Sequence, residues 1–350
     1  MLLRFLVWLA LVRLLHGPCA VAAGKVTALI VFGDSSVDAG NNNNISTIAK
    51  SNFEPYGRDF AGGRPTGRFS NGRLPTDFIS EAFGLPPVVP AYLDSSYGIM
   101  DFASGVCFAS AGSGYDNATS DVLSVISMSK QLDYFKEYQG RLKIYQGEAK
   151  ANETLSEALY IMSLGTNDFL ENYYQSPRRP SEFTIEEYQN FLVGIAERFI
   201  ISIYRLGARK LDLTGIPPMG CLPLERAMNM FSGSVCNEGY NQVAKDFNAK
   251  LQRLADRLNR KLHGMRISFA NAYDIFIKVI DDPSSYGFEN VGVGCCATGM
   301  FEMGYACNRG NPLTCSDAKK YVFWDAFHPT EKMYSVVADH IMKTALAGFM

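Results

Sequence analysis

The chain predicts an α/β fold in three layers: a five-stranded parallel sheet with helices on both faces. Three observations carry this. Five short apolar runs alternate with segments of helical spacing. The runs read as buried strands, which a parallel sheet covered on both faces requires. Four of them stop at small or polar residues, at Gly33, Ala109 to Gly112, Gly165 to Asp168 and Gly215. The carboxyl ends of strands are where an open α/β sheet presents its chemistry. A chain of 350 residues, 47% hydrophobic, has ample core. With no internal repeat and no low-complexity linker, one domain is the simpler reading. Lys plus Arg is 33 against 35 Asp plus Glu, a net charge of -2. That balance gives no reason to expect nucleic acid or an anionic membrane surface as partner.

Residues 1–23 read as a secretory signal peptide. Met1 to Arg4 is short and basic, Phe5 to Val12 is apolar, and Arg13 interrupts. Ala20-Val-Ala22 offers a small-x-small cleavage site, with cleavage near Ala22 or Ala23. The remainder, 24–350, is then one secreted domain with an extracellular address, the cell wall included. No later stretch approaches about 20 uninterrupted apolar residues, so no integral membrane segment is expected in the mature chain.

The first strand is Val26 to Phe32. Gly33 breaks it, and the polar cluster Asp34-Ser-Ser-Val-Asp-Ala-Gly-Asn-Asn-Asn-Asn44 reads as a turn running into a helix. Ser35 is a candidate nucleophile there, although Asp-Ser-Ser before a helix is also an ordinary N-cap signal. The Asn run is expected to hold the loop behind Ser35 by side-chain to backbone hydrogen bonds. A long loop, Asn52 to Gly72, follows. With Arg73 it brings four arginines, Arg58, Arg64, Arg68 and Arg73, which either hold an anionic substrate or pair with the loop's own carboxylates and carbonyls. The second reading is favoured, because a long ordered loop needs internal hydrogen bonds. Leu74 to Phe83 has helical spacing, and Pro86, Pro87 and Pro90 then force an extended segment.

Asp101 to Tyr115 reads as a short buried strand ending in a small-residue turn. Its Gly112-Ser-Gly114 lacks the third glycine of a dinucleotide loop, because position 117 is Asn. Small residues in a tight turn instead leave backbone N–H groups bare for a substrate oxygen. Helix is expected over Ser127 to Tyr145, Thr184 to Leu206, Asn237 to His263 and Asp274 to Ile280, with strands at Ala158 to Leu164, Lys210 to Ile216 and Arg266 to Ala270. A last helix runs to about Ala347.

Of eight Cys, Cys19 leaves with the signal. Cys221 and Cys236 bracket a loop and suit a bridge worth about 3 kcal/mol in the chain-entropy model. Cys295, Cys296, Cys307 and Cys315 cluster in a Gly-rich stretch that suits two more, the adjacent pair taking different partners. A zinc site competes, without a paired C-x-x-C or a neighbouring His to support it. Cys107, in an apolar run, reads as a buried free thiol. Asn44, Asn117 and Asn152 each begin an N-x-S/T sequon and are candidate glycosylation sites on surface loops.

Three His remain after the signal: His263 at a helix end, His340 in the last helix, and His328, which opens a helix three residues after Asp325. A carboxylate that close reaches one ring nitrogen, fixes the tautomer and leaves the other nitrogen free to take a hydroxyl proton. Asp-x-x-His also caps helices, so the pair alone decides little. In a parallel sheet, however, Ser35, Asp325 and His328 can gather at one edge. Asn167 can aim an amide at the same point. The turn at Ala111–Gly112 and Ser35 itself can add backbone N–H groups, making a three-donor oxyanion hole.

With these residues the chain resembles the plant-type secreted GDSL esterase/lipases of the SGNH hydrolase superfamily. Phe32-Gly-Asp-Ser-Ser-Val-Asp-Ala-Gly-Asn-Asn-Asn43 resembles the first block of that family and Phe108-Ala-Ser-Ala-Gly-Ser-Gly114 the second. Gly165-Thr-Asn-Asp168 resembles the third and Phe323-Trp-Asp-Ala-Phe-His-Pro-Thr-Glu331 the fifth. Gly63 to Gly72 and Gly215 to Pro223 are similar to it as well. The likeness runs from about residue 26 to 345. It implies a flavodoxin-like SGNH hydrolase fold and a secreted esterase/lipase acting on a small-molecule or lipid acyl ester without metal or organic cofactor. Ser35 would be nucleophile, His328 general base and acid, and Asp325 its orienting partner. Ser35 N–H, Gly112 N–H and Asn167 would form the oxyanion hole. Ser36 stands where the family name has Leu. Ala-Ser-Ala-Gly stands where many relatives have Ala-Ser-Gly-Gly, which leaves Ala111 and Gly112 both open as donor. The alternatives are an acyltransferase using the same acyl-enzyme, or a catalytically silent secreted binding protein.

Overall fold

A computed structural model describes residues 26–229 and 235–350. The signal peptide expected at 1–23, with Cys19, lies outside the described residues. Five parallel strands form the main sheet: β1 Leu29–Gly33, β2 Gly105–Cys107, β3 Leu159–Ser163, β4 Lys210–Thr214 and β5 Arg266–Ala270, in the order β2-β1-β3-β4-β5. All five residues of β1 are buried, which explains its unbroken apolar run.

Side chains alternate between the faces of a strand, so the register assigns each to a helical layer. Phe32 and Tyr160 point to one face. There Phe135, on the helix Met128–Gln146, packs against both, and Phe199, on Ile185–Arg205, meets Phe32 edge-on. Val31 pairs with Ile161, whose side chain points to the opposite face. Ile161 there shares a cavity wall with Phe276 of the helix Ala272–Asp281 and with Val337 and Ile341 of the helix Glu331–Lys343. The expected three layers are therefore present.

Helix ends fall where side chains cap them. Thr184 accepts from Glu187 N while Glu187 reaches back to Thr184 N, and Asn237 and Ser127 cap the helices that follow them. Several elements escaped the periodicity, among them the helices Asn117–Leu123, Glu148–Glu157, Arg178–Glu182 and Pro223–Met228. The strand expected within Asp101 to Tyr115 shrinks to Gly105–Cys107, since Ile99–Phe102 forms a helical turn.

A second, two-stranded sheet also forms, from β6 Asn290–Gly294 and β7 Tyr321–Phe323. It carries Cys295 out of one strand and Asp325 out of the other. The strands approach so closely there that a Cβ on Gly294 would lie 2.5 Å from the Asp325 carbonyl oxygen. The cysteines pair as Cys221–Cys236, Cys295–Cys315 and Cys296–Cys307, so the sulfurs of the cluster are not available to zinc. Cys107 is a buried free thiol. Among the described residues, no helix is long and apolar enough to cross a membrane.

The candidate sequons are exposed, but not on loops. Asn44 ends the short 3-10 turn Asn41–Asn44, Asn117 begins a helix and Asn152 lies within one.

Candidate active site

The chain leaves β1 in a turn that runs into the short 3-10 helix Asn41–Asn44. Asp34 N donates to Ser163 O on β3, and Val37 N turns back to Asp34 O. The Asp34 carboxylate accepts from Ser36 N at 2.9 Å and Ser36 Oγ at 2.8 Å. Asp34, rather than Ser35, therefore makes the capping bonds, and Ser36 serves as its partner. Ser35 is thrown onto the carboxyl edge of the sheet with its N–H bonded to nothing among the described residues. Gln131 fixes the end of β1 two residues earlier, accepting from Gly33 N and donating to Gly33 O.

At that edge Ser35 meets residues from the far end of the chain. His328 Nε2 lies 2.9 Å from Ser35 Oγ. His328 Nδ1 lies 2.8 Å from Asp325 Oδ2 and 3.0 Å from Oδ1. A carboxylate only accepts, so Nδ1 carries the proton and Nε2 is left to accept from Oγ. All three are buried, with Ser35 and His328 each 6% exposed and Asp325 0%. His328 does not open the last helix. Thr330 does, its side chain accepting from Met333 N, which leaves His328 on the turn before it. His263 and His340 are not brought to this site.

Asp325 is held by more than the imidazole. Its Oδ1 accepts from Phe327 N and His328 N, and its Oδ2 from Tyr56 OH at 2.7 Å. Tyr56 OH in turn accepts from Gly304 N, in the loop closed by Cys296–Cys307. The sequence reading missed Tyr56. Its signal was a lone Tyr between Pro55 and Gly57 in a long loop. Phe69 packs beside the His328 ring at 4.8 Å between centroids.

The candidate oxyanion donors are sorted by what already binds them. Ala111 N donates to Asp38 Oδ2 at 3.0 Å and is spent. Gly112 N has no acceptor among the described residues. Its φ of +80 is a conformation that favours glycine, and a Cβ would crowd Leu123 Cδ1 at 3.0 Å. Asn167, 2% exposed, gives one amide hydrogen to Ser113 O at 2.9 Å, leaving the other free. Asp168 ties that strand end to the segment after β2 by accepting from Tyr115 N, Asp116 N and Thr119 Oγ1. The Asn run performs its expected task. Asn41 donates to the carbonyls of Cys107 and Ala109, Asn42 to those of Ala49 and Ala111, and Asn43 to that of Thr66.

The arginines mostly brace this frame. Arg68 grips the Asp77 carboxylate with two nitrogens and also donates to the carbonyls of Ala39 and Val89. Arg73 bridges Glu81 and Glu331, and Arg58 donates to Cys315 O.

Two cavities meet at Ser35, Phe327 and His328. One runs into the interior between Val37, Ile79, Ile161, Ile216, Phe276 and Ile341. The other is lined by Gly112, Asn167 and Glu171 with Ile48, Phe69, Leu123 and the loop Met303 to Ala306.

Several carboxyls near the site and in the sheet are buried. Burial pushes Asp34, Asp38 and Asp212 up to about 6 and Asp168 to about 7. Their folded values lie above the unfolded value of 3.8, so the folded chain binds more protons than the unfolded one in that window. The resulting stability is fully present below pH 3.8 and is lost as pH rises through 6 to 7. Carboxyls with lowered values, such as Glu187 and Asp282, act below this window. The melting temperature is therefore expected to be higher at pH 5 than at pH 8. Calorimetric scans at the two pH values check this, and an equal or lower value at pH 5 would mean these carboxyls stay ionised on folding.

The model of the GDSL-like Lipase/Acylhydrolase family matches residues 29–341. Three Arabidopsis thaliana proteins described as GDSL esterase/lipases are similar over almost the whole chain. At2g42990 is 61% identical over 324 residues, 93% of either chain. At2g04570 is 58% identical over 328 residues, 94% of either chain, and At4g26790 is 57% identical over 346 residues, 99% of either. Among solved structures, a gut microbial diltiazem-metabolizing enzyme aligns with 92% of this chain, which spans about half (47%) of that protein, at a TM-score of 0.41 and 12% identity.

Proposed function

Because the chain belongs to the GDSL-like lipase/acylhydrolase family and is thereby a carboxylic ester hydrolase, we propose that it cleaves acyl esters by double displacement on Ser35. One observation carries the reading: the 2.9 Å contact of Ser35 Oγ with His328 Nε2 across 293 positions of sequence, with Asp325 behind the ring. Ser35 Oγ attacks the ester carbonyl while Nε2 takes its proton. Asp325 stabilises the imidazolium. The oxyanion is received by the N–H groups of Ser35 and Gly112 and the free amide hydrogen of Asn167. His328 then protonates the departing alkoxide, leaving an acyl-Ser35. Water, deprotonated by His328, releases the acid and restores the serine. The interior cavity takes the acyl chain, since its walls are mainly aliphatic.

A fluorophosphonate probe tests this directly. It is expected to phosphonylate Ser35, identified by peptide mass mapping, with loss of esterase activity in step with labelling. Label on any other residue would refute Ser35 as nucleophile. Asn167→Ala is expected to lower kcat by roughly 10²–10³-fold, from loss of one oxyanion donor, with a smaller effect on KM. Steady-state kinetics on a soluble ester check that split.

The same proposal makes residues 1–23 a cleaved signal peptide, 24–350 one hydrolase domain, and Asn44, Asn117 and Asn152 glycan acceptors of a secreted enzyme. Three disulfides and the exposure of all three asparagines support it.

A further inference from the structure

Most carboxyl groups around Ser35 are already bonded. Asp34 accepts twice from Ser36, and Asp325 accepts from four donors. Glu171 is the exception. It stands four residues after Asn167, on the short helical turn Asp168–Tyr173, and lines the second cavity beside Ser35, Gly112 and His328. Its Oε2 is fully buried and meets no donor, and among the described residues neither of its oxygens is hydrogen-bonded. Much of the wall around it is apolar. A carboxyl in such a place is costly unless something in the cavity bonds to it. Burial, opposed by His328, pushes Glu171 up to about 7, so near neutral pH it both donates and accepts.

A hydroxyl also donates and accepts, and so matches this group. The alcohol side of the ester is the side that reaches it. His328, which hands its proton to the leaving oxygen, lines both cavities, and with the acyl chain in the interior one the alcohol is left to the second. We infer that Glu171 is a specificity-determining residue that hydrogen-bonds a hydroxyl group of the leaving alcohol, favouring acyl esters of polyhydric alcohols over those of simple alkanols. The inference rests on the reading of Ser35 as nucleophile.

The test compares kcat/KM for glyceryl monobutyrate and propyl butyrate, which share an acyl group, with Ser35→Ala as the blank. The native enzyme is expected to favour the glyceryl ester by about tenfold or more. Glu171→Leu should cut that ratio by about tenfold, chiefly through KM for the glyceryl ester, whereas Glu171→Gln, which keeps a donor and an acceptor, should hold it within about threefold. A measurement on the native enzyme stands independently of the variants. Acyl-enzyme loaded from p-nitrophenyl butyrate is offered glycerol and 1-propanol at equal concentration, and glycerol should capture the acyl group about fivefold more often. No preference for glycerol, a ratio indifferent to Glu171→Leu, or a preference for butyrylcholine over both esters would overturn the assignment. Turnover that persists in Ser35→Ala would overturn the nucleophile itself, and this inference with it.

Discussion

Ser35→Ala is expected to lower kcat by about 10⁶-fold while leaving the fold intact. The substitution removes a single oxygen whose hydrogen-bond partner is His328 Nε2. It leaves the backbone N–H of residue 35, the N–H of Gly112 and the amide of Asn167 in place. The variant therefore lacks the proposed nucleophile and keeps the proposed oxyanion donors, so a residual rate of about 10³–10⁴ over water is the expected floor. Melting should stay close to the native value, because the turn at residues 34–37 is held by Asp34, Ser36 and the Val37 N–H, none of which the substitution touches. Burst and steady-state kinetics on p-nitrophenyl esters, with calorimetry as the folding control, make the measurement. A folded Ser35→Ala protein with native turnover would sink the mechanism.

Asp325→Asn is expected to cost about 10⁴-fold in kcat and to lower the melting temperature as well. The reason lies in a count of donors. Asp325 receives bonds from Phe327 N, His328 N, His328 Nδ1 and Tyr56 OH, and an amide presents only one accepting oxygen. If its NH₂ faces the imidazole, it donates to Nδ1 and drives the ring proton to Nε2, where it blocks acceptance from Ser35. If the amide flips, its NH₂ confronts two backbone N–H groups that have no other acceptor. Either way one function of the carboxylate fails. Kinetics combined with a melting curve check both halves. A loss of less than tenfold in a folded protein would reduce Asp325 to a structural brace.

The parts of the site visible in sequence are those whose chemistry is rare and whose place is set by chain geometry. Ser35 and Asn167 stand just past β1 and β3 of one parallel sheet, which gathers strand ends at one edge, while the Asp325–His328 pair follows β7 of the separate two-stranded sheet. The choice between Ala111 and Gly112 was not visible. Both offer an N–H, and the matter turns on Asp38, which consumes the one at Ala111. Tyr56 was hidden for a similar reason. Nothing local marks a tyrosine in a loop as a hydrogen-bond donor to a carboxylate 269 positions away. Glu171 had no local mark either, because its oddity is the absence of a partner, and that is defined only once the cavity closes around it. The start of the last helix went wrong because Pro329 after His328 resembles an N-terminal signal, while Thr330 supplies the cap. The helix Glu148–Glu157 was missed because much of its surface is polar and its apolar stripe is narrow.

Local sequence accounts for the stretch with which the candidate active site begins. Gly33 ends a buried strand, Ser35 follows, and the asparagines behind it bind carbonyls of neighbouring loops. Apolar runs, hydroxyls and amides carry those instructions locally, through burial and short-range hydrogen bonding. Tertiary structure alone decided which N–H groups remain free, what holds Asp325 and which carboxyl has no partner. Those are questions of which donors and acceptors are left over after packing, and residues far apart in sequence compete for them.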